Sequence, residues 1–252
     1  MQAEERQFLI EQHLQKVEFA SLEELSEKVD VSVSTVRRDL TLLETKGTIR
    51  RTHGGARLVT PKSDEFAFTA RDTHQLSEKD AIGQAAAELV QPNQGVIVDA
   101  GTTAYHVAKH LGGKASHIIT NSLPVANHFG SDNSVEVLVT GGMIYPRLGV
   151  LVGPLAVESL SKMHADVAIM SGGGITMDGI TNSHALLIDI QRAMLQSAQR
   201  IIFCLDHTKF NRRSVSPLCE LDAIDTIVTD AQAPADLVGQ LKQTNTQVVI
   251  AS

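Results

Sequence analysis

The chain has 252 residues, 42% of them hydrophobic, and a formal net charge of −7. That length holds one large domain, or a small one beside a medium one, and the apolar content is normal for a packed core. No apolar run approaches the roughly 18 residues of a membrane span, and the charged start MQAEERQFLIEQHLQ lacks the apolar stretch of a secretion signal, so a cytoplasmic chain without membrane partners is expected.

Phe8, Leu9 and Leu14 support a first helix within residues 3–15. Ser21 and Glu24 form a capping-box pattern, which opens a second helix with a short apolar stripe of Leu22, Leu25 and Val29. Asp30-Val31-Ser32 is a tight connection. Ser32 is a good N-cap for a third helix, because its hydroxyl can accept a bond from an orphan N–H of the first turn. Val33, Val36, Leu40 and Leu43 repeat at helical spacing as one buried stripe, and Gly47 follows the last turn, where a left-handed residue ends the helix. At about 100° per residue, Ser34, Arg37, Arg38 and Thr41 fan out on the opposite face. Guanidiniums and hydroxyls displayed this way suit a DNA major groove, where Arg pairs with guanine edges and phosphates and Ser or Thr bonds to either. Asp39 fits a partner that orients an arginine better than a base reader.

Three helices with a short turn before the basic one describe a helix-turn-helix. The following hairpin, Thr48–Leu58, carries Arg50, Arg51, His53 and Arg57 around Gly54-Gly55, as a wing lying on a phosphate backbone does. Charge is segregated to match. Residues 1–36 hold three Lys/Arg against eight Asp/Glu, net −5, while residues 37–57 hold six against two, net +4. A local basic surface is what phosphates meet, because screening erases charge beyond roughly 8–10 Å.

The run VSVSTVRRDLTLLETKG…RRTHGGA resembles the N-terminal domain of the DeoR family of bacterial transcription regulators. The resemblance implies that Ser34, Thr35, Arg37 and Arg38 face DNA, with Arg51 and His53 on the wing. Together with Ser32, Thr41 and Gly54 these make the candidate DNA-binding set, and the expected partner is a double-stranded operator.

From Lys62 to about Thr73 the chain is polar and aperiodic and reads as a linker, which gives a winged helix-turn-helix over residues 1–57, a linker over 58–73 and a second domain over 74–252. Ser77 with Asp80 opens a helix through Val90, with Ile82, Ala86 and Leu89 on one face. Apolar strand-like runs follow at Gly95–Val98, His117–Ile119, Val135–Val139, Ala165–Met170, Ile201–Leu205, Thr226–Val228 and Gln247–Ile250. Most alternate with helical stretches at Thr103–Leu111, Pro124–Phe129, Pro154–Met163, His184–Ala198 and Ala235–Lys242. Strands apolar throughout and separated by helices argue for an α/β fold with a mainly parallel sheet covered on both faces.

Functional residues in such folds collect at the carboxyl ends of strands. Here those ends read Asp99-Ala100-Gly101-Thr102-Thr103, Thr120-Asn121-Ser122, Thr140-Gly141-Gly142, Ser171-Gly172-Gly173-Gly174 and Asp206-His207-Thr208-Lys209. Small residues let a ligand approach the backbone. Gly101-Thr102-Thr103 opens a helix, whose N–H groups attract an anion. Lys209 supplies a mobile positive charge, and Arg147 is a second candidate cation. The pattern predicts a site for an anionic small molecule. A dinucleotide fingerprint is missing after Val98, no P-loop occurs, and no cofactor is expected. His106 and His110 have a metal-compatible spacing without a third ligand nearby, so no metal site is expected. Cys204 and Cys219 are read as reduced thiols.

DAGTT, TNSLPVAN, TGG, SGGGIT and LDHTKF again resemble the DeoR family, now its effector domain, which looks like ribose-5-phosphate isomerase and CoA-transferase-like sugar-phosphate proteins. The resemblance implies that Gly101, Thr102 and Thr103 hold a sugar phosphate with Lys209 near it. Asp99, Asn121, Ser122 and the Gly172–Gly174 turn would line the sugar. The rival reading is an isomerase-like enzyme with a DNA-binding appendage. In the isomerases a Lys precedes the triple glycine and an acidic base follows in a Thr-Arg-Glu-Lys context. This chain has Ser171 before the glycines and, after them, Asp178 ahead of a turn glycine, with Asp189 on the next helix still open as a pocket residue. The reading is therefore a binding pocket without its base, and not an enzyme. Many family members carry Glu and Lys in the helix after GGGIT, where this chain has Leu187 and Gln191. One short helix reads too few bases for genomic specificity, so a self-associating, sugar-phosphate-controlled regulator, more naturally a repressor, is expected.

Overall fold

The computed structural model describes residues 3–17, 19–45, 48–52, 54–58 and 67–251, and the chain divides between residues 65 and 66 into two compact units. Gly47, His53 and half of the expected linker, residues 59–66, lie outside the described residues.

The first unit runs α1 (Ala3–Val17), β1 (Phe19–Ser21), α2 (Leu22–Val29), α3 (Val33–Thr45), β2 (Ile49–Thr52) and β3 (Gly55–Leu58). Its antiparallel strands lie in the order β1-β3-β2, so the hairpin is a wing tied to the helices through β1. The core joins Ile10 and Leu14 to Leu25, Val29, Val36, Leu40, Leu43 and Ile49. Phe8, expected to support the first helix, is exposed: helical periodicity sets it opposite Ile10. Ser21 does cap α2, accepting from the Glu24 N–H at 3.1 Å, but the Glu24 carboxylate pairs with His13 at 2.7 Å instead of closing the box. Asp30 turns left-handed at φ 49°, and the Val31 N–H reaches back to the Ser26 carbonyl. A Cβ on Gly55 would meet the Ala20 carbonyl oxygen at 2.1 Å, so β1 and β3 can pair there only beside a glycine.

The second unit runs α4 (Phe68–Thr73), α5 (Leu76–Glu88), β4 (Gly95–Val98), α6 (Thr102–His110), β5 (His117–Thr120), α7 (Leu123–Phe129), β6 (Glu136–Val139), β7 (Met143–Tyr145), β8 (Val150–Val152), α8 (Pro154–Ser161), β9 (Ala165–Met170), β10 (Gly174–Thr176), β11 (Gly179–Asn182), α9 (Ala185–Gln196), β12 (Ala198–Cys204), β13 (Ser216–Cys219), β14 (Thr226–Asp230), α10 (Ala235–Leu241) and β15 (Gln247–Ala251). Seven strands form a parallel sheet in the order β15-β14-β12-β9-β4-β5-β6. Alternate residues feed opposite cores. Val96, Val98, Ile118 and Val167 pack with Ile82, Val107 and Val125 from α5, α6 and α7. Ile97, Ile119, Ala168 and Phe203 pack with Leu160, Ile188 and Leu237 from α8, α9 and α10. Both faces are covered, which is why these strands read as continuous apolar runs.

Three departures from expectation matter. Part of the expected linker is the helix α4, whose Phe68 N–H donates to the Arg147 carbonyl at 3.2 Å. The next helix starts at Leu76 behind a left-handed Gln75, and the Ser77 hydroxyl donates to Glu78 at 2.9 Å in place of capping. The hairpin β7–β8 and the antiparallel sheet β10-β11-β13 carry no long apolar run and escaped the periodicity reading. No helix among the described residues is long and apolar enough to cross a membrane.

Candidate nucleic-acid interface and effector site

Helix α3 is held by its buried side. Val36 and Leu40 are fully buried, and Asp39, also buried, accepts from Arg6 Nε at 2.5 Å, Arg6 Nη2 at 3.1 Å and Gln7 Nε2 at 3.2 Å. Asp39 does orient an arginine, but that arginine is on α1 and locks α3 against it. Arg37 and Arg38 are exposed on the other side, as is Ser34. Ser32 caps the helix: its Oγ and backbone carbonyl both accept from the Thr35 N–H, at 3.3 and 2.9 Å. Its hydroxyl also lies 2.8 Å from Ser34 Oγ and 2.9 Å from Thr35 Oγ1. Thr41 and Arg51, expected separately, are joined: Arg51 Nη1 donates to Thr41 Oγ1 at 2.9 Å. Gly54 is exposed at the wing turn, with open space around it, and its carbonyl accepts from the Leu22 N–H at 3.0 Å.

In the second unit the strand ends of β4 and β9 meet at Asp99. Its Oδ2 accepts from the Ser171 N–H at 3.1 Å and from Gln191 Nε2 at 3.0 Å. Burial pushes the Asp99 carboxyl up, opposed by the N–H groups of Ala100 and Ser171. Gln191 also donates to the Ser171 carbonyl at 3.1 Å and accepts from Asn182 Nδ2 at 2.8 Å, so α9 closes the floor of this cluster with a neutral amide. A Cβ on Gly101 would lie 1.9 Å from Ser171 Oγ. Gly101 therefore lets β9 end directly beside the first turn of α6. Thr102 and Thr103 are nearly buried in that turn, whose leading N–H groups have no intrahelical acceptor.

Several expected ligand residues hold structural positions. Ser122 Oγ caps α7 by accepting from the Val125 N–H at 3.3 Å. Asn121 Nδ2 donates to the Leu151 carbonyl at 3.1 Å. Gly141 and Gly142 have φ of 69° and 113°, which the turn into β7 needs. A Cβ on Gly172, Gly173 or Gly174 would strike Ile180, Ser214 or Arg212, so the glycine run is explained by protein packing around it. Arg147 is exposed on the β7–β8 turn. Among the described residues, two buried atoms at these strand ends, Ser171 Oγ and Asn121 Oδ1, make no hydrogen bond.

Beyond β12, Asp206 is buried and accepts from the Thr208 N–H at 3.0 Å, turning the chain so that Lys209 Nζ stands 3.9 Å from its Oδ2. Burial lowers the Lys209 pKa while Asp206 raises it. The sequence reading missed Lys79 on α5. It is buried, donates to the carbonyls of Arg71 and His74 (the latter at 2.6 Å), and its pKa falls to about 8 through burial, with Asp206 opposing and Lys209 adding to the fall. A signal existed: Lys79 lies on the apolar stripe, three residues before Ile82 and seven before Ala86.

The two acids considered as isomerase bases, Asp178 and Asp189, are exposed, and Asp178 faces Arg213 at 3.4 Å. His106 packs 3.3 Å from Asp72 and 3.6 Å from Asp80, and His110 lies 3.0 Å from Asp80, so both histidines serve contacts among α4, α5 and α6. Cys204 and Cys219 are unpaired, and burial pushes both thiols up, Cys219 to about 12.

The family model described as the DeoR-like helix-turn-helix domain matches residues 6–62, and that described as the DeoR C terminal sensor domain matches residues 74–231. The HTH-type transcriptional regulator GolR of Listeria innocua is 34% identical over 230 residues, covering 90% of this chain and 91% of its own. The HTH-type transcriptional repressor GlcR of Bacillus subtilis is 34% identical over 241 residues, covering 94% and 93%. Among solved structures, ribose 5 phosphate isomerase A from Neisseria gonorrhoeae aligns at 15% identity with a TM-score of 0.36, covering 56% of this chain and 54% of that one.

Proposed function

The chain belongs to the DeoR family of transcriptional regulators, and from that premise we propose that it is a cytoplasmic, self-associating repressor of sugar-metabolism genes, released from its operator by a phosphorylated sugar or sugar derivative. It is a DNA-binding regulator and not an enzyme, as are the relatives it matches over nine-tenths of their length. Paired copies place two α3 helices on repeated half-sites. The sugar phosphate occupies the strand ends around Asp99 and Gly101, in line with the expected effector set.

One observation carries the effector reading. Lys79 is buried and the like charge of Lys209 adds to the fall in its pKa, at the same sheet end where the leading N–H groups of α6, behind Thr102 and Thr103, have no intrahelical acceptor. A dianionic phosphate relieves that repulsion and accepts from the helix end. Ser171 Oγ and Asn121 Oδ1 then offer hydrogen bonds to sugar hydroxyls. The effector acts only through a difference in its affinity for the DNA-competent and DNA-released arrangements.

The test is a thermal-shift screen with sugar phosphates and their unphosphorylated parents. At least one phosphate ester raises the melting temperature and its parent sugar does not. Equal shifts from ester and parent, or none from any ester, contradict the reading.

A further inference from the structure

The structure assigns a positioning role to Glu44: its carboxylate sets the Arg51 guanidinium at the junction of recognition helix and wing, in the orientation from which Arg51 meets the DNA backbone. This rests on the DNA-facing reading of α3 and the wing. Glu44 follows Arg37 by seven residues, which returns it to within about 20° of the same helix face. A carboxylate on that face, acting alone, repels phosphates. Here it is committed to Arg51 at two points. Glu44 Oε1 accepts from the Arg51 backbone N–H at 3.0 Å, and Oε2 accepts from Arg51 Nε at 2.7 Å. One side chain thus fixes both the wing backbone and the start of the guanidinium plane.

The far side of that plane is fixed as well. Arg51 Nη1 donates to Thr41 Oγ1, which in turn donates to the Arg37 carbonyl at 2.8 Å. These contacts use two of the five guanidinium N–H donors. Side-chain exposure is 45% for Arg51 and 37% for Glu44, and an ion pair that open adds little to folding. What the arrangement does supply is a preset direction for a long, flexible side chain, so that less freedom is lost when it meets a phosphate.

The test uses the full chain and a duplex selected by that chain from a randomised pool, with affinity measured by anisotropy across a range of salt. Glu44→Ala and Arg51→Ala each weaken binding about tenfold, and each lowers the salt slope by about one phosphate contact. The double variant binds no worse than twofold below the weaker single one, because both substitutions remove the same contact. Glu44→Gln keeps an acceptor and falls between wild type and Glu44→Ala; should Glu44→Ala not fold, its reduced salt slope carries the test. Tighter or unchanged binding by the Glu44 variants, multiplied losses in the double variant, or a changed base preference at an unchanged salt slope each overturns the assignment. Arg38→Ala separates the premise: if it also leaves binding intact, the DNA-facing reading of α3 fails, and not merely the role of Glu44.

Discussion

Gln191 Nε2 stands 3.0 Å from Asp99 Oδ2, joining the helix after the glycine run to the end of β4 across 92 residues of sequence. The same amide reaches the Ser171 carbonyl and Asn182, so one neutral side chain satisfies three partners. Gln191→Leu keeps the volume and removes every one of these bonds. Leaving a buried carboxyl and amide short of partners lowers unfolding stability by about 1–3 kcal/mol, measured by urea denaturation. An unchanged midpoint would show that the network is dispensable.

Gly101 is required by Ser171 and not by its own dihedral angles. A Cβ at 101 falls 2.3 Å from the Ser171 Cβ, a contact that rotation of the hydroxyl does not relieve. Gly101→Ala therefore destabilises the second unit by about 1–3 kcal/mol, and Ser171→Gly in the same chain restores most of the loss. Thermal melts of the four members of this cycle give the coupling, and additive losses would refute the contact.

Neighbouring residues on α3 separate binding from folding. Arg38→Ala weakens binding to a selected duplex by about 1–3 kcal/mol if it meets a base edge, with the melting temperature unchanged. Asp39→Ala removes the acceptor shared by Arg6 and Gln7 at the α1–α3 junction and lowers the melting temperature. Equal effects of the two variants on melting would remove the distinction between outer and inner face.

Lys79 makes stability depend on alkaline pH. Its pKa is about 8 in the folded chain against an ordinary 10.5, so between those values the unfolded state holds the proton and the native state does not. Stability contributed through this residue therefore rises with pH across that window. Relative to Lys79→Met, the wild type gains up to about 3 kcal/mol between pH 8 and 10.5 in the absence of anions. A difference that stays flat across the window would place the Lys79 ammonium in solvent.

Much of the molecule was legible because its periodicities are strong. Ala165–Met170 is a strand at both ends as read, and Val36, Leu40 and Leu43 are buried as their spacing required. What failed did so for local reasons. Phe8 is apolar but falls on the wrong side of α1, and α4 is too short and too polar to register a period. The candidate site was legible as a set of strand ends. Its roles were not, because a glycine needed for packing, as at Gly174, looks the same in sequence as one needed for a ligand. Gln191 was visible as a departure from the family, yet its partner Asp99 is brought to it only by the sheet order.

The central claim is that a ligand at the strand ends controls the hold on DNA. It is tested most directly by titrating sugar phosphates into the full chain bound to its selected duplex, for wild type and Lys209→Ala. One ester should release the wild-type complex at concentrations that leave Lys209→Ala bound, while both chains hold the duplex equally without ester. Release of both chains by the same ester at the same concentration would contradict the account.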